Sequence, residues 1–128
     1  MAKLSVGING FGRFGLHLLK YWLNRSTECS FSIDYINDDY LSIDKVRDII
    51  LNDKYVTFRK FKVYSSDSIL TFIEPDGKKF EIRFTNQEQE DISWIGEPDL
   101  FFECTGKFTV ADKCEKYLKG KTKLVLIS

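Results

Sequence analysis

The sequence predicts an α/β fold: a mostly parallel sheet with helices on both faces and an inserted antiparallel hairpin. Three observations carry this reading. Leu4, Val6 and Ile8 form a short apolar run that leads into Gly10-x-Gly12-x-x-Gly15, after which apolar residues recur at helical spacing. Short apolar runs then alternate with helix-like segments, the pattern of strands joined by crossover helices. Between them, Ile69–Ile73 and Lys79–Phe84 flank Pro75-Asp76-Gly77, a turn signal that reads as a hairpin.

Taken in order, strand one is expected over Lys3–Ile8 and helix one over Phe11–Asn24, with Phe14, Leu18, Leu19, Trp22 and Leu23 on its apolar face. Strand two falls at Phe31–Asn37. Ser42 suits an N-cap, and Ile43, Val46, Ile49 and Ile50 line one side of a second helix ending at Asn52. From Val56 to Phe84 the pattern turns to β, with a strand near Phe61–Tyr64 ahead of the hairpin. Asn86–Ser93 is polar and holds a short turn. Asp99–Cys104 is too short for a helix and apolar throughout, as expected of a buried parallel strand. A third helix is expected over Thr109–Lys119, stopped by Gly120, and a last buried-type strand over Lys123–Ile127. That strand is apolar on both faces, so a covering surface is expected from further chain or from a partner.

Bulk composition narrows the function classes. At 128 residues the chain reads as one domain, 1–128. Nineteen basic residues balance nineteen acidic ones, so nothing favours nucleic acid or an anionic membrane. No apolar run approaches the length of a membrane span, and no signal-peptide layout opens the chain, which leads to an expectation of a cytoplasmic protein. Cys29, Cys104 and Cys114 are an odd set without metal-ligand spacing, and read as reduced thiols. No metal site is expected.

The strand–glycine turn–helix order is that of the dinucleotide-binding fingerprint, which makes the predicted fold Rossmann-type. Gly10 permits the turn, Gly12 lets a pyrophosphate approach the backbone, and Gly15 lets helix and strand pack closely. The helix N-terminus supplies amides and partial positive charge. Asp38, 23 residues after Gly15, stands where a carboxylate accepts the adenosine ribose hydroxyls. That carboxylate would repel a 2′-phosphate, and no arginine stands in this turn, so NAD is favoured over NADP. Asp38 and Asp39 also suit a solvated turn. Thr105 and Gly106, just past the strand that ends at Glu103, would face the middle of a cofactor lying along the sheet, or form a turn into the next helix.

With these residues in view, the chain resembles the NAD-binding part of glyceraldehyde-3-phosphate dehydrogenase. The resemblance rests on Gly7-Ile-Asn-Gly-Phe-Gly-Arg-Phe-Gly15, Ile36-Asn-Asp38, Trp94 with Gly96, and Glu103-Cys-Thr-Gly106 with Phe108-Thr109. It implies that the backbone of Arg13 and Phe14 binds the pyrophosphate, that Asp38 binds the ribose, that Asn9 shapes the glycine turn, and that Thr105 and Gly106 lie beside the nicotinamide. Gln87 takes the position of a family arginine whose backbone approaches the adenine. Leu16 replaces a usual arginine, and Asn52–Phe58 departs from a usual Ser-x-His-Gly stretch, as in a divergent member.

The family's catalytic cysteine and histidine correspond to no position in these residues, so no catalytic residue is assigned. Cys104 sits at the end of a buried-type strand, where a thiol is a poor nucleophile, and His17 lies in the first helix. The expectation is NAD binding without turnover by this chain alone, and either a homo-oligomer or a missing C-terminal domain as partner. The alternative is a standalone NAD-binding or interaction module derived from a split or decayed dehydrogenase. A related phosphorylating enzyme, such as one acting on erythrose phosphate, would share this half.

Overall fold

The computed structural model describes residues 3–54, 61–106 and 115–128. Seven strands form one sheet: β1 (Leu4–Asn9), β2 (Phe31–Asn37), β3 (Lys62–Ser66), β4 (Ile69–Ile73), β5 (Lys79–Thr85), β6 (Leu100–Glu103) and β7 (Leu124–Ile127). Their spatial order is β3-β4-β5-β2-β1-β6-β7. Pairs β5–β2, β2–β1, β1–β6 and β6–β7 are parallel, while β3–β4 and β4–β5 are antiparallel. This is the mostly parallel sheet with an inserted hairpin that the sequence predicts. Strand order reverses at β1: its own crossover leads to β2 on one side, and the chain returns from β5 to β6 on the other.

Two helices follow from local signals. In α1 (Arg13–Asn24), Leu16, Leu19, Trp22 and Leu23 are buried at helical spacing against Val6, Ile8, Ile33 and Ile36 of the sheet. In α2 (Ile43–Asn52), Ser42 caps the helix by accepting from the Lys45 amide at 3.2 Å. Val46 and Ile50 of α2 join the same core, so both helices lie on one face.

The other face carries a second, smaller cluster of buried side chains. Trp94, Phe101 and Tyr117 form its core with Ile92, and the Phe101 and Tyr117 rings stack at 4.0 Å. Residues 109–114 of the expected third helix lie outside the described residues. Glu115–Tyr117 is a single 3₁₀ turn, in which Leu118 N–H bonds Glu115 C=O, and Lys121 N–H leaves to bond Gly96 C=O. Gly120, with φ +58°, makes the stop. The expected strand residues 56–60 and Cys114 also lie outside the described residues.

Two features place the site. Gly7 has no side chain because Trp94 fills that space; an added Cβ would strike the indole and come within 3.1 Å of Pro98. In β2, Asp34 is a bulge: Val6 pairs with Ile33 but Gly7 pairs with Tyr35. Asp34 is held by the Ser5 and Ser32 hydroxyls at 2.5 and 3.2 Å. The extra residue turns Ile33 and Ile36 to the same helix-covered face, and it brings Asn37 opposite Asn9.

Gly7→Ala should lower the free energy of unfolding by about 1–3 kcal/mol, as overpacking of a filled core does. Denaturant titration followed by tryptophan fluorescence checks this; a midpoint equal to wild type would contradict the fit.

Candidate functional site

The carboxyl ends of β1, β2 and β6 enclose a cleft of about 360 Å³ lined by Gly10, Phe11, Gly12, Asp38, Asp39, Tyr40, Leu41, Cys104 and Thr105. It lies where strand order reverses, the ligand position of open α/β sheets. The three glycines prove sterically distinct. Gly10 has φ +98°, and an added Cβ would meet the Thr105 nitrogen at 2.7 Å, so the β1 turn lies directly against the end of β6. A Cβ on Gly15 would meet the Gly10 carbonyl at 2.8 Å. At Gly12 a Cβ would meet nothing within 4 Å. Folding therefore requires the first and third glycines, while the second faces open space.

Gly12 is also the N-cap of α1, and no side chain caps that end. The helix's own ladder begins with Leu16 N–H bonding Gly12 C=O at 3.0 Å, so the amides before it belong to no intrahelical bond. Arg13 and Phe14 stand in this first turn, outside the residues that line the cleft. The Arg13 side chain turns away to Asp53 at 2.7 Å, and the buried Lys20 ammonium joins the same carboxylate at 3.2 Å. The Arg13 side chain is thus engaged with the end of α2, and its backbone is the part left at the turn.

Asp38 reaches the cleft, but its carboxylate is already tied into the fold. Oδ1 accepts from the Tyr40 and Leu41 amides, both at 2.9 Å, and Oδ2 accepts from the Phe11 amide at 2.8 Å. A carboxylate has about four acceptor positions, which leaves one on Oδ2, the oxygen next to the glycine turn. The sequence marked Asp38 as a ribose acceptor and gave no sign that it also fastens the β2 loop to Phe11.

Behind the cleft, the last residues of four parallel strands lie side by side on the Trp94 face. Thr85 pairs with Asn37, Asn37 with Asn9, and Asn9 with Glu103 in register. The Trp94 indole N–H donates to Thr85 Oγ1 at 3.0 Å, and that hydroxyl donates to Asn37 Oδ1 at 2.7 Å. Asn37 Nδ2 donates to Asn9 Oδ1 at 2.9 Å, and Asn9 Nδ2 donates to Glu103 Oε1 at 2.7 Å. Glu103 Oε2 accepts from the Thr105 amide at 2.9 Å and from its hydroxyl. Asn9, Asn37 and Glu103 are buried, at 2%, 0% and 1% exposure. Asn9, which immediately precedes Gly10, is thus held from both sides in this row, while the roles of Asn37 and Glu103 had no signal in spacing or composition.

Gln87 is placed elsewhere. Its backbone N–H and C=O are both held by the Asn37 side chain at 3.0 Å, and its side-chain oxygen accepts from the Ser93 amide at 2.9 Å. It lines a neighbouring cavity of about 410 Å³ with Arg83, Asn86 and Ser93 instead of the cleft. Gly106, with φ +74° and open space around it, lies just beyond Thr105. Sequence reasoning missed Tyr40, an aromatic ring 91% exposed at the cleft's edge, and Leu41 beside it.

Nucleophile chemistry finds no support in Cys104. Burial pushes its thiol up to about 11, only partly opposed by a hydrogen bond with Ser128. His17 is exposed on α1, 3.3 Å from the Arg13 guanidinium and on a different element from Cys104.

Fold and cleft together define a Rossmann-type dinucleotide-binding domain. Residues 4–111 match the model of the glyceraldehyde 3-phosphate dehydrogenase NAD-binding domain, and the chain belongs to that family, whose cofactor is NAD. It is 31% identical to glyceraldehyde-3-phosphate dehydrogenase 1 of Caenorhabditis elegans, with all of this chain and 37% of that protein aligned. Cytosolic glyceraldehyde-3-phosphate dehydrogenases of Pisum sativum and Dianthus caryophyllus are 30% and 33% identical, over 99% and 100% of this chain and 36% and 37% of theirs. The chain thus spans somewhat over a third of the length of these relatives.

The Cys104 thiol gives a pH prediction. Its folded value lies above the ordinary thiol value of 9.0, so the unfolded chain loses its proton first. Stability is full below pH 9 and falls as pH rises towards 11, by up to about 2–3 kcal/mol from this group. Cys104→Ala should lose less stability than wild type between pH 9 and 11 in denaturant titrations; parallel losses would contradict the burial.

Proposed function

We propose that NAD lies across the carboxyl ends of β1, β2 and β6, with its pyrophosphate over Gly12 and the backbone of Arg13 and Phe14. The single observation that carries this reading is the contrast among the glycines. Gly10 and Gly15 are needed by the fold, but among the described residues no atom lies within 4 Å of the space a Gly12 side chain would take. A glycine kept where packing does not ask for one, at an uncapped helix N-terminus, suits close approach of an anionic ligand.

The remaining residues fit the rest of the cofactor. Asp38 would accept a hydrogen from the adenosine ribose through the open position on Oδ2, and its charge would oppose a 2′-phosphate. Tyr40 and Leu41 offer apolar surface for the base at the cleft's edge. Thr105 and Gly106 would stand beside the nicotinamide half, where bound NAD supplies a hydride acceptor. Asn9 holds the turn from behind. Gln87 would approach the adenine side through its backbone, which Asn37 holds, with its side chain committed to Ser93.

For the whole protein we infer the oxidoreductase reaction named for its relatives: phosphorylating oxidation of glyceraldehyde 3-phosphate, in the cytosol as for the pea and carnation proteins. The chemistry would need a thiolate outside these residues. This chain would bind and orient the cofactor without turning it over. The apolar side chains of β7 support a covering surface, supplied by further chain or by a second subunit: Leu124, Leu126 and Ile127 are 38–47% exposed. Among the described residues no helix is long and apolar enough to cross a membrane.

Calorimetry with NAD on wild type and Gly12→Val tests the reading. Since Gly12 has non-glycine backbone angles (φ −90°, ψ −156°) and open space, the variant should keep its unfolding midpoint. Its NAD affinity should fall by about tenfold or more, equivalent to about 1.4 kcal/mol. Equal affinities would contradict a pyrophosphate at this turn. Wild type should also bind NAD more tightly than NADP.

A further inference from the structure

The buried row behind the cleft has a direction, and both of its ends impose the same one. At one end stand the Gln87 N–H and C=O, a backbone donor and acceptor that cannot exchange places. They oblige Asn37 to present Oδ1 to the amide and Nδ2 to the carbonyl. At the other end, Glu103 as a carboxylate can accept and cannot donate. It therefore requires the Nδ2 side of Asn9, which leaves Asn9 Oδ1 to face Asn37 Nδ2. All four hydrogen-bonding positions of the Asn37 amide are filled: Asn9 and Gln87 on Nδ2, Thr85 and Gln87 on Oδ1. Reversing either asparagine amide would set N–H against N–H or oxygen against oxygen in a site that excludes water.

The row touches each part of the cleft. Asn9 immediately precedes Gly10, and its own carbonyl accepts from the Cys104 amide at 2.7 Å. The Asn37 carbonyl accepts from the Gly10 amide at 2.7 Å, and Asn37 immediately precedes Asp38. Glu103 fixes Thr105 through two bonds. Among the described residues no ion pair includes Glu103; hydrogen-bond donors alone meet its charge.

We propose that Glu103 is a positioning residue for the cofactor: its acceptor-only carboxylate sets the sense of the Asn9 and Asn37 amides, and through them the mutual placement of the glycine turn, the Asp38 loop, Gln87 and Thr105. The proposal rests on the reading of this cleft as the NAD site. Because what matters is the donor and acceptor pattern and not the volume, it makes an unusual claim about isosteric changes. Glu103→Gln places an amide N–H against either Asn9 Nδ2 or the Thr105 amide. Asn9→Asp places a carboxylate against a carboxylate. Combined, the two changes restore every bond. The carboxylate introduced at position 9 accepts from Asn37 Nδ2 and from the side-chain amide nitrogen introduced at position 103. The carbonyl oxygen of that same new amide accepts from Thr105.

The test is a four-protein cycle on this chain: wild type, E103Q, N9D and the double variant. Each is assayed for denaturant unfolding and for calorimetric binding of NAD and of adenosine. Each single variant should bind NAD at least about tenfold more weakly than wild type or fail to fold, since an unmatched buried donor or charge is costly. The double variant should fold and recover to within about threefold of wild type. Recovery is scored on either ligand, because adenosine carries no phosphate to feel the relocated charge. A space-filling role would leave both isosteric singles unaffected. Wild-type affinity in either single, or a double variant that recovers neither ligand, overturns the proposal. A wild-type chain that binds neither ligand overturns the cofactor reading and the proposal with it; a wild-type chain that binds while the cycle fails overturns the positioning role alone.

Discussion

The constraint on which the rest depends is that four parallel strands end in polar side chains, three of them fully buried and Thr85 half-buried. Thr85, Asn37, Asn9 and Glu103 close the carboxyl edge of the sheet, where each unmatched donor or acceptor would cost about 1–3 kcal/mol. They avoid that cost only when all four strands hold one register. Asn9 can meet Asn37 only because Asp34 adds a residue to β2; without the bulge Asn9 would oppose Ile36. Trp94 can reach Thr85 only because Gly7 leaves room for its ring. A glycine, a bulge and an aromatic ring, distant from one another in sequence, are thus parts of one arrangement. Its product is a hydrogen-bonded floor beneath the cleft.

The cleft divides its work between folding and recognition. Side chains at Gly10 and Gly15 would collide with the backbone, whereas one at Gly12 would meet nothing among the described residues. Asp38 serves on both sides, fastening the loop of Tyr40 and Leu41 to Phe11 while keeping one acceptor position. Asp53 removes the Arg13 side chain from the front of the turn and holds Lys20 at the same point, so α1 and α2 are joined by charge where α2 ends. What remains in front of the helix is backbone. This suits recognition of a diphosphate bridge by geometry more than by side-chain charge.

Much of the fold could be read from local signals, because the physics that sets it is local. Phe31–Asn37 matches its strand throughout, the Ser42 cap forms as read, and Pro75-Asp76-Gly77 turns the hairpin. The glycine turn was legible because strand, turn and helix are contiguous. What escaped depends on partners distant in sequence. The Asp34 bulge breaks the period-2 pattern that strand reading relies on, so neither the shared face of Ile33 and Ile36 nor the alignment of Asn37 could be foreseen. The bonds that hold Gln87, from its backbone to Asn37 and from its side chain to Ser93, likewise join distant residues and had no local signal. The end of the expected third helix became a 3₁₀ turn because Lys121 bonds Gly96, a glycine twenty-five residues earlier.

Membership in the glyceraldehyde 3-phosphate dehydrogenase NAD-binding domain family and the shape of the cleft converge on one ligand, and the central claim is where that ligand's pyrophosphate rests. Backbone amide chemical-shift mapping by NMR, with NAD titrated into this chain, measures that position directly. The largest shifts are expected at Gly12, Arg13 and Phe14, with smaller ones at Tyr40 and Thr105. Shifts centred on Asp67, Arg83 and Asn86 around the neighbouring cavity, with the α1 amides unmoved, would contradict it.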